Sequence, residues 1–347
     1  LDDRVEVGVL GATGAVGQRL IRLLEDHPWF RLAEVAGSAA SARKTLADRI
    51  GAGADGLSRT TAGLRLQDPD GAWASSILLS ALPSGPARES EIKLAEAGHL
   101  VVSNASAHRM GETIPLVIPE VNGDHLDMVA SQPWEGGLVT NPNCAAVGLV
   151  MALAPLHETF GVESVITTSF QAISGAGLPG PPAAIMVDNV IPFIDGEEHK
   201  LTCEPQKILG TVTAKGLEPA AFAVSASCTR VAVLDGHLMA VSVGLTGRPA
   251  VEDVAAALRD YQGLDVCKDL PSAPEHPLQV LTQDDRPQPR LDRDLGQGMT
   301  VSVGRIRPCE VLDAKFFVLS HNLVRGAAGA ALLNAELCHA QGIARSG

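Results

Sequence analysis

The stretch VEVGVLGATGAVGQRLIRLLED, residues 5–26, decides the fold. Residues 5–10 read as a buried strand, 11–17 as a tight turn, and 16–26 as a helix with apolar residues at helical spacing. Gly11, Gly14 and Gly17 form GATGAVG, a variant of the dinucleotide fingerprint. Glycine there allows the tight turn and lets backbone N–H groups approach a pyrophosphate at a helix N-terminus. A glycine-rich turn in an ordinary strand–helix unit is the alternative. The position after the first strand and before an amphipathic helix favours the nucleotide.

Working outward, strands are expected at 32–36, 76–81 (SILLSA) and 100–103, with a polar segment over 38–61 and a helix over 89–97. Strands alternating with helices predict an α/β, Rossmann-type doubly wound parallel sheet. From residue 139 the pattern changes. A short strand leads into TNPNC and then a helix over 145–160 that is apolar on nearly every side, as a buried helix is. The segments 164–172, 221–233 and 238–244 look like strands that are not regularly interleaved with helices, so a second, α+β domain is expected. A helix over 326–340 would pack back on the first domain.

The chain has 347 residues, enough for two cores. Its net charge of −13 opposes binding to nucleic acid or an anionic membrane surface. A small-molecule partner is expected instead. The opening LDDRVEVGVLGATG has the wrong order for a secretory signal, and no apolar run reaches the roughly 18 to 20 residues that span a bilayer. Six cysteines without CxxC pairs fit neither a disulfide framework nor a zinc site, so a reducing, cytoplasmic setting and no metal are expected.

The end of the second strand discriminates between cofactors. An NAD site places an acid about 20 residues after the glycines, whereas this chain has Gly37-Ser38 there. Ser38, Ser41, Arg43 and Lys44 offer hydroxyls and positive charge suited to a 2′-phosphate, which favours NADP. Glu34 dissents, although it lies inside the strand and not at its end.

Cys144 follows Asn141-Pro142-Asn143 and opens the buried helix, where free N–H groups and the helix dipole are expected to stabilise a thiolate. For the other five cysteines a small buried residue is the better reading. Among ten histidines, His237 in VLDGHLMAV, beside a turn and a strand, is the candidate acid/base partner. Arg230, in SCTRVAV, needs an anion if buried, either a substrate carboxylate or an internal acid. In DGEEHKL the residues Glu197, Glu198 and Lys200, and in SNASAHRM Arg109, read equally well as site groups or as solvated surface.

Together these residues resemble aspartate-semialdehyde dehydrogenase, in the form common to archaea and fungi. GATGAVGQRL, SALPS, SNASAHRM, TNPNC, QAISGAG, IPFIDGEEHK, RVAVLDGH, GRIR and HNLVRGAAG resemble family blocks in family order over nearly the whole chain. The resemblance implies a nucleotide domain of 1–141 plus 322–347, with a catalytic and dimerisation domain, 142–321, inserted. It implies Cys144 as nucleophile, His237 as acid/base group, Gln171 orienting the thioacyl carbonyl and Asn143 beside the nucleophile. Arg230 would bind a substrate carboxylate and Glu197, or its neighbour Glu198, an ammonium group; Lys200 and Arg109 would hold phosphate. Further cofactor contacts would come from Thr13, Ala15, Val16, Ser80, Ser174, Gly175 and Asn322. The implied reaction is NADPH-dependent conversion of aspartyl phosphate to the semialdehyde by a homodimer or homotetramer, within lysine, threonine and methionine biosynthesis.

Three positions depart from the family pattern: Ala232 where proline is usual, Leu238 where a polar residue follows the histidine, and Leu178 where an aromatic is frequent. None removes a reacting group. They leave open a reductase of malonyl-CoA or another acyl phosphate on the same scaffold, and a non-catalytic NADP-binding regulator.

Overall fold

A computed structural model describes residues 3–38 and 41–343. Positions 1–2 of the opening stretch and 344–347 of the C-terminal segment lie outside the described residues.

Strands β1 (Val5–Leu10), β2 (Phe30–Ala36), β3 (Leu66–Gln67), β4 (Ile77–Ser80), β5 (Leu100–Ser103) and β6 (Gly137–Thr140) form one sheet in the order β3-β2-β1-β4-β5-β6. Every neighbouring pair runs parallel. The strands are apolar on both sides because both faces are covered. Val7, Val9, Ile77, Leu79 and Val102 pack with the Ala15–Leu24 and Gly329–Ala340 helices. Leu78, Val101 and Leu138 pack on the other face with Ala87 and Leu94 of the Ser84–Glu96 helix. Because β1 lies between β2 and β4, sheet growth reverses at β1, and a crevice opens at the C-terminal ends of β1 and β4.

The second part of the chain forms a mixed sheet. Strands β7 (Val162–Gln171), β10 (Ala223–Arg230), β11 (His237–Leu245), β12 (Leu278–Leu281), β13 (Val301–Pro308) and β14 (Ala314–Ser320) follow the order β10-β7-β11-β14-β13-β12. The small hairpin β8 (Thr211–Thr213) and β9 (Gly216–Glu218) stands apart. The Cys144–Phe160 helix covers one face of the large sheet, with every residue from 145 to 156 buried. That matches its all-round apolar sequence.

The structure differs from the expected elements in three places. The helix expected at 89–97 begins at Ser84, because Pro86 falls in its first turn, where a missing N–H breaks no helical bond. Strands β12, β13 and β14 were not foreseen, although β13 and β14 sit inside the sheet. The C-terminal helix starts with a π-helical turn, Val324–Ala328. A buried bidentate pair anchors this turn, with Arg325 donating to Glu120 at 2.6 and 2.8 Å. It brings Gly326 so close to Cys144 that a Cβ at 326 would lie 2.7 Å from the cysteine Cβ.

Candidate active site

The nucleotide turn is built from backbone. Gly11 has φ +72°, and a Cβ there would lie 2.5 Å from the Ala81 carbonyl oxygen. At Gly17 a Cβ would meet the Gly11 carbonyl oxygen at 2.2 Å. Neither position admits a side chain. Gly14 caps the Ala15–Leu24 helix without any side-chain acceptor, so the first N–H groups of that helix remain for an anion. A cleft of about 500 Å³ starts at Gly14, Ala15 and Val16 and ends at Asn143 and Cys144. The geometry fits a dinucleotide with its phosphates on the turn and its reactive end at the thiol.

Glu34 is committed elsewhere. Its carboxylate accepts from the backbone N–H groups of Ala74 and Ser75 and from the Ser75 hydroxyl at 2.6 Å, so it does not face a ribose. At the end of β2, Ser38 Oγ lies 3.3 Å from Ser41 Oγ, and Arg49 Nε donates to Ser41 Oγ at 2.8 Å. Arg49 was not foreseen. Arg43 and Lys44 are exposed nearby, Arg43 with φ +68°. Thr13 approaches this corner through its methyl group, 3.5 Å from where a Cβ on Gly37 would be. The Ser80 hydroxyl points away from the cleft: it is fully buried and donates to Glu91 at 2.6 Å.

At the inner end of the cleft, Cys144 Sγ lies 3.2 Å from His237 Nε2. The Ala172 N–H donates to His237 Nδ1 at 3.1 Å, so the single hydrogen of the neutral ring sits on Nε2 and faces sulfur. Burial, and after it the charge of Arg230, pushes the imidazole pKa down to about 3. The thiol corrects the expectation of a helix-stabilised thiolate. Burial, and then the Glu197 carboxylate, pushes Cys144 up to about 12 against the pull of Arg109, Arg230 and Lys200. Part of the reason is the cap. Asn143 Oδ1 already accepts the N–H groups of Ala145 and Ala146, at 2.9 and 3.2 Å.

Glu197 and Glu198 separate cleanly. Glu197 lines the cleft; it accepts from Asn143 Nδ2 at 2.9 Å, Gln171 Nε2 at 3.1 Å and Lys200 Nζ at 2.7 Å. Burial alone would raise its pKa, but Lys200, Asn143 and Gln171 hold it below the ordinary value. Glu198 turns outward and accepts the Cys228 N–H at 3.1 Å.

Arg230 is buried at the end of β10 and donates to the Ala172 carbonyl at 2.7 Å. Among the described residues it has no carboxylate within ion-pair distance, which disposes of the internal pair. Gly175 lets it approach, since a Cβ there would lie 2.8 Å from Arg230 Nη1 and 3.1 Å from His237 Cε1. Arg109 lines the cleft, paired with Glu204 at 3.0 Å, and its Nε is buried without an acceptor. Asn322 joins the two halves of the site: Oδ1 accepts the Gly236 N–H and Nδ2 donates to Ser174 Oγ, both at 2.8 Å.

Fold and site together define a nucleotide-dependent dehydrogenase built around a cysteine. Its relatives narrow the class. The chain belongs to the aspartate-semialdehyde dehydrogenase family. An aspartate-semialdehyde dehydrogenase of Archaeoglobus fulgidus is 48% identical over 345 residues, covering 96% of this chain and 98% of the relative. One from Aspergillus fumigatus is 44% identical over 96% of this chain and 97% of its own. Family profiles for the semialdehyde dehydrogenase NAD binding domain and dimerisation domain match residues 6–129 and 153–325. A crystal structure of the Candida albicans aspartate-semialdehyde dehydrogenase with NADP superposes with a TM-score of 0.89 at 40% identity, covering 98% of this chain and 99% of that one.

Proposed function

We propose that the protein converts L-aspartyl 4-phosphate to aspartate 4-semialdehyde, with NADPH as reductant and a thioester on Cys144. The observation that carries this is the Cys144–His237 contact of 3.2 Å at the inner end of a nucleotide cleft, beside an arginine without a carboxylate partner.

The side chains divide the work by chemistry. The Cys144 sulfur attacks the acyl carbon; the S–C bond forms as the carbon–oxygen bond to phosphate breaks, the thiol proton goes with the departing phosphate, and the phosphate leaves toward Arg109 and Lys200. When bound, the dinucleotide supplies the hydride that reduces the thioester. His237 donates an Nε2–H hydrogen bond to the developing oxyanion; as the oxyanion collapses the C–S bond breaks, the aldehyde departs, and His237 relays a solvent proton to the released sulfur. Gln171 orients the thioacyl carbonyl, Arg230 takes the substrate carboxylate and Glu197 its ammonium group, while Asn143 holds Glu197 in place. Gly11, Thr13, Gly14, Ala15 and Val16 would hold the pyrophosphate. Ser38, Ser41, Arg43 and Lys44 would hold the 2′-phosphate, and Ser174, Gly175 and Asn322 the nicotinamide end.

The division into 1–141 plus 322–347 and 142–321 belongs to the same proposal. It is supported by separate apolar clusters, two on the faces of the parallel sheet, one of these shared with the C-terminal helix, and a third between the Cys144–Phe160 helix and the mixed sheet. We also infer a homodimer or homotetramer. Leu178, Ile185, Val187, Val190 and Phe193 are exposed along one segment of the part that matches the dimerisation profile. No helix among the described residues is long and apolar enough to cross a membrane. Six free cysteines support a cytoplasmic setting.

The test is phosphate-dependent reduction of NADP with aspartate semialdehyde, run beside malonyl-CoA-dependent oxidation of NADPH. Turnover with the semialdehyde and none with malonyl-CoA is expected. The reverse result sinks the assignment.

A further inference from the structure

The Glu197–Ile208 helix carries charged residues at 197, 200, 204 and 207, a 3-4-3 spacing that puts all four on one face. Glu197 and Lys200 reach the cleft. Glu204 and Lys207, deeper in the protein, are 2% and 4% exposed, and both are spent on one neighbour. Glu204 Oε1 accepts from Arg109 Nη1 at 3.0 Å, while Lys207 Nζ donates to the Arg109 carbonyl oxygen at 2.6 Å. Lys207 also donates to the carbonyls of Gly111 and Ile114, both at 2.8 Å. The second oxygen of Glu204 accepts the Asn143 N–H at 2.5 Å. One helical turn therefore grips Arg109 by side chain and by main chain, and ties it to the residue that precedes Cys144.

We propose that Glu204 and Lys207 are positioning residues that fix the Arg109 guanidinium at the distance from Cys144 that the phosphoryl group of the substrate requires. This rests on reading Arg109 as a phosphate ligand. Burying two charges is costly, and a buried ion pair adds little to stability over a well-packed apolar pair. What the charges add here is geometry. Arg109 Nη2 is held by the Asn104 carbonyl at 2.7 Å and Nη1 by Glu204, one hydrogen of each, while the side chain lines the cleft. A guanidinium held through both terminal nitrogens does not swing toward solvent, and its remaining N–H groups meet an arriving anion without reorganising.

The test measures semialdehyde oxidation at varied phosphate and varied NADP in wild type, Glu204→Gln, Glu204→Asp and Lys207→Met. Glu204→Gln keeps the shape but presents an amide N–H to one of two donors, so the KM for phosphate should rise about tenfold while that for NADP stays within about twofold. Glu204→Asp keeps the charge but is one methylene short of spanning both partners. A smaller rise, about threefold, is expected there and in Lys207→Met. A role limited to folding would lower kcat through loss of active molecules and leave both KM values unchanged; that outcome overturns the inference. The shorter variants carry the test if Glu204→Gln does not fold. If wild type oxidises the semialdehyde without phosphate, the reading of Arg109 falls and takes the inference with it. A phosphate-dependent wild type with an unchanged phosphate KM in every variant sinks the inference alone.

Discussion

The two ends of the cleft are made in opposite ways. The nucleotide end uses one continuous turn, residues 11–17, whose working groups are backbone N–H donors and in which Gly11 and Gly17 exclude Cβ atoms by distances of 2.5 and 2.2 Å. The thiol end gathers side chains from six separated segments, near 109, 143, 171, 197, 230 and 237, and holds them with buried hydrogen bonds and ion pairs. A backbone site can be damaged by adding an atom. A side-chain site is damaged by removing one.

That contrast can be broken in four places. The largest effect should come from Cys144→Ser, which removes the one atom able to form a thioester. Turnover should fall on the order of 10⁴-fold while NADP binding, followed by fluorescence titration, stays within about twofold. Retained turnover would mean the two ends are not chemically separate.

Next is the pH dependence of the thiol. With the pKa pushed up to about 12, the thiolate fraction below that value rises tenfold for each pH unit. Iodoacetamide should alkylate Cys144 of the free protein about 10³ times faster at pH 9 than at pH 6. Because His237 is pushed down to about 3, no imidazolium contributes in that range. A plateau below pH 8 would reveal a thiolate already formed.

Adding an atom at the other end should be felt there alone. Gly17→Ala places a Cβ 2.2 Å from the Gly11 carbonyl oxygen, so the turn must open. NADP affinity should drop by about 100-fold, or roughly 3 kcal/mol, a cost within the range for backbone strain. The alkylation rate of Cys144 should not change. If it does, the turn and the thiol are mechanically coupled.

The smallest effect is expected at Glu34→Gln. Its carboxylate closes the Ala74-Ser75 loop, so about 1 kcal/mol of stability should be lost on thermal unfolding, in line with weakened hydrogen bonds to a charged acceptor. The ratio of NADP to NAD turnover should stay the same. A change in that ratio would return Glu34 to the ribose.

The same contrast explains what could be read beforehand. The parallel sheet was legible because β1, β4 and β5 are short apolar runs between glycine and helix signals. Cys144 was legible from its position at a helix start. Its protonation was not, because the push to about 12 comes from burial and from Glu197, 53 positions away in the chain. Glu204 and Lys207 share the spacing that links Glu197 to Lys200, yet charges at such spacing usually mark a solvated helix face. Only packing turns that face inward. Strand β14, AKFFVLS, was missed although its apolar content is high, since no turn signal brackets it clearly and its partners β11 and β13 are not both its chain neighbours.

The amino-acid sequence by itself determined the nucleotide turn and the doubly wound sheet and singled out Cys144 as the candidate nucleophile, because each depends on residues within a few positions of one another. Only the tertiary structure decided that Glu197 and not Glu198 faces the cleft, that Arg230 has no carboxylate partner among the described residues and that burial and Glu197 push the thiol pKa up. Those facts depend on burial and on distances between segments far apart in the chain. Desolvation and Coulomb terms are set by what surrounds a group in space.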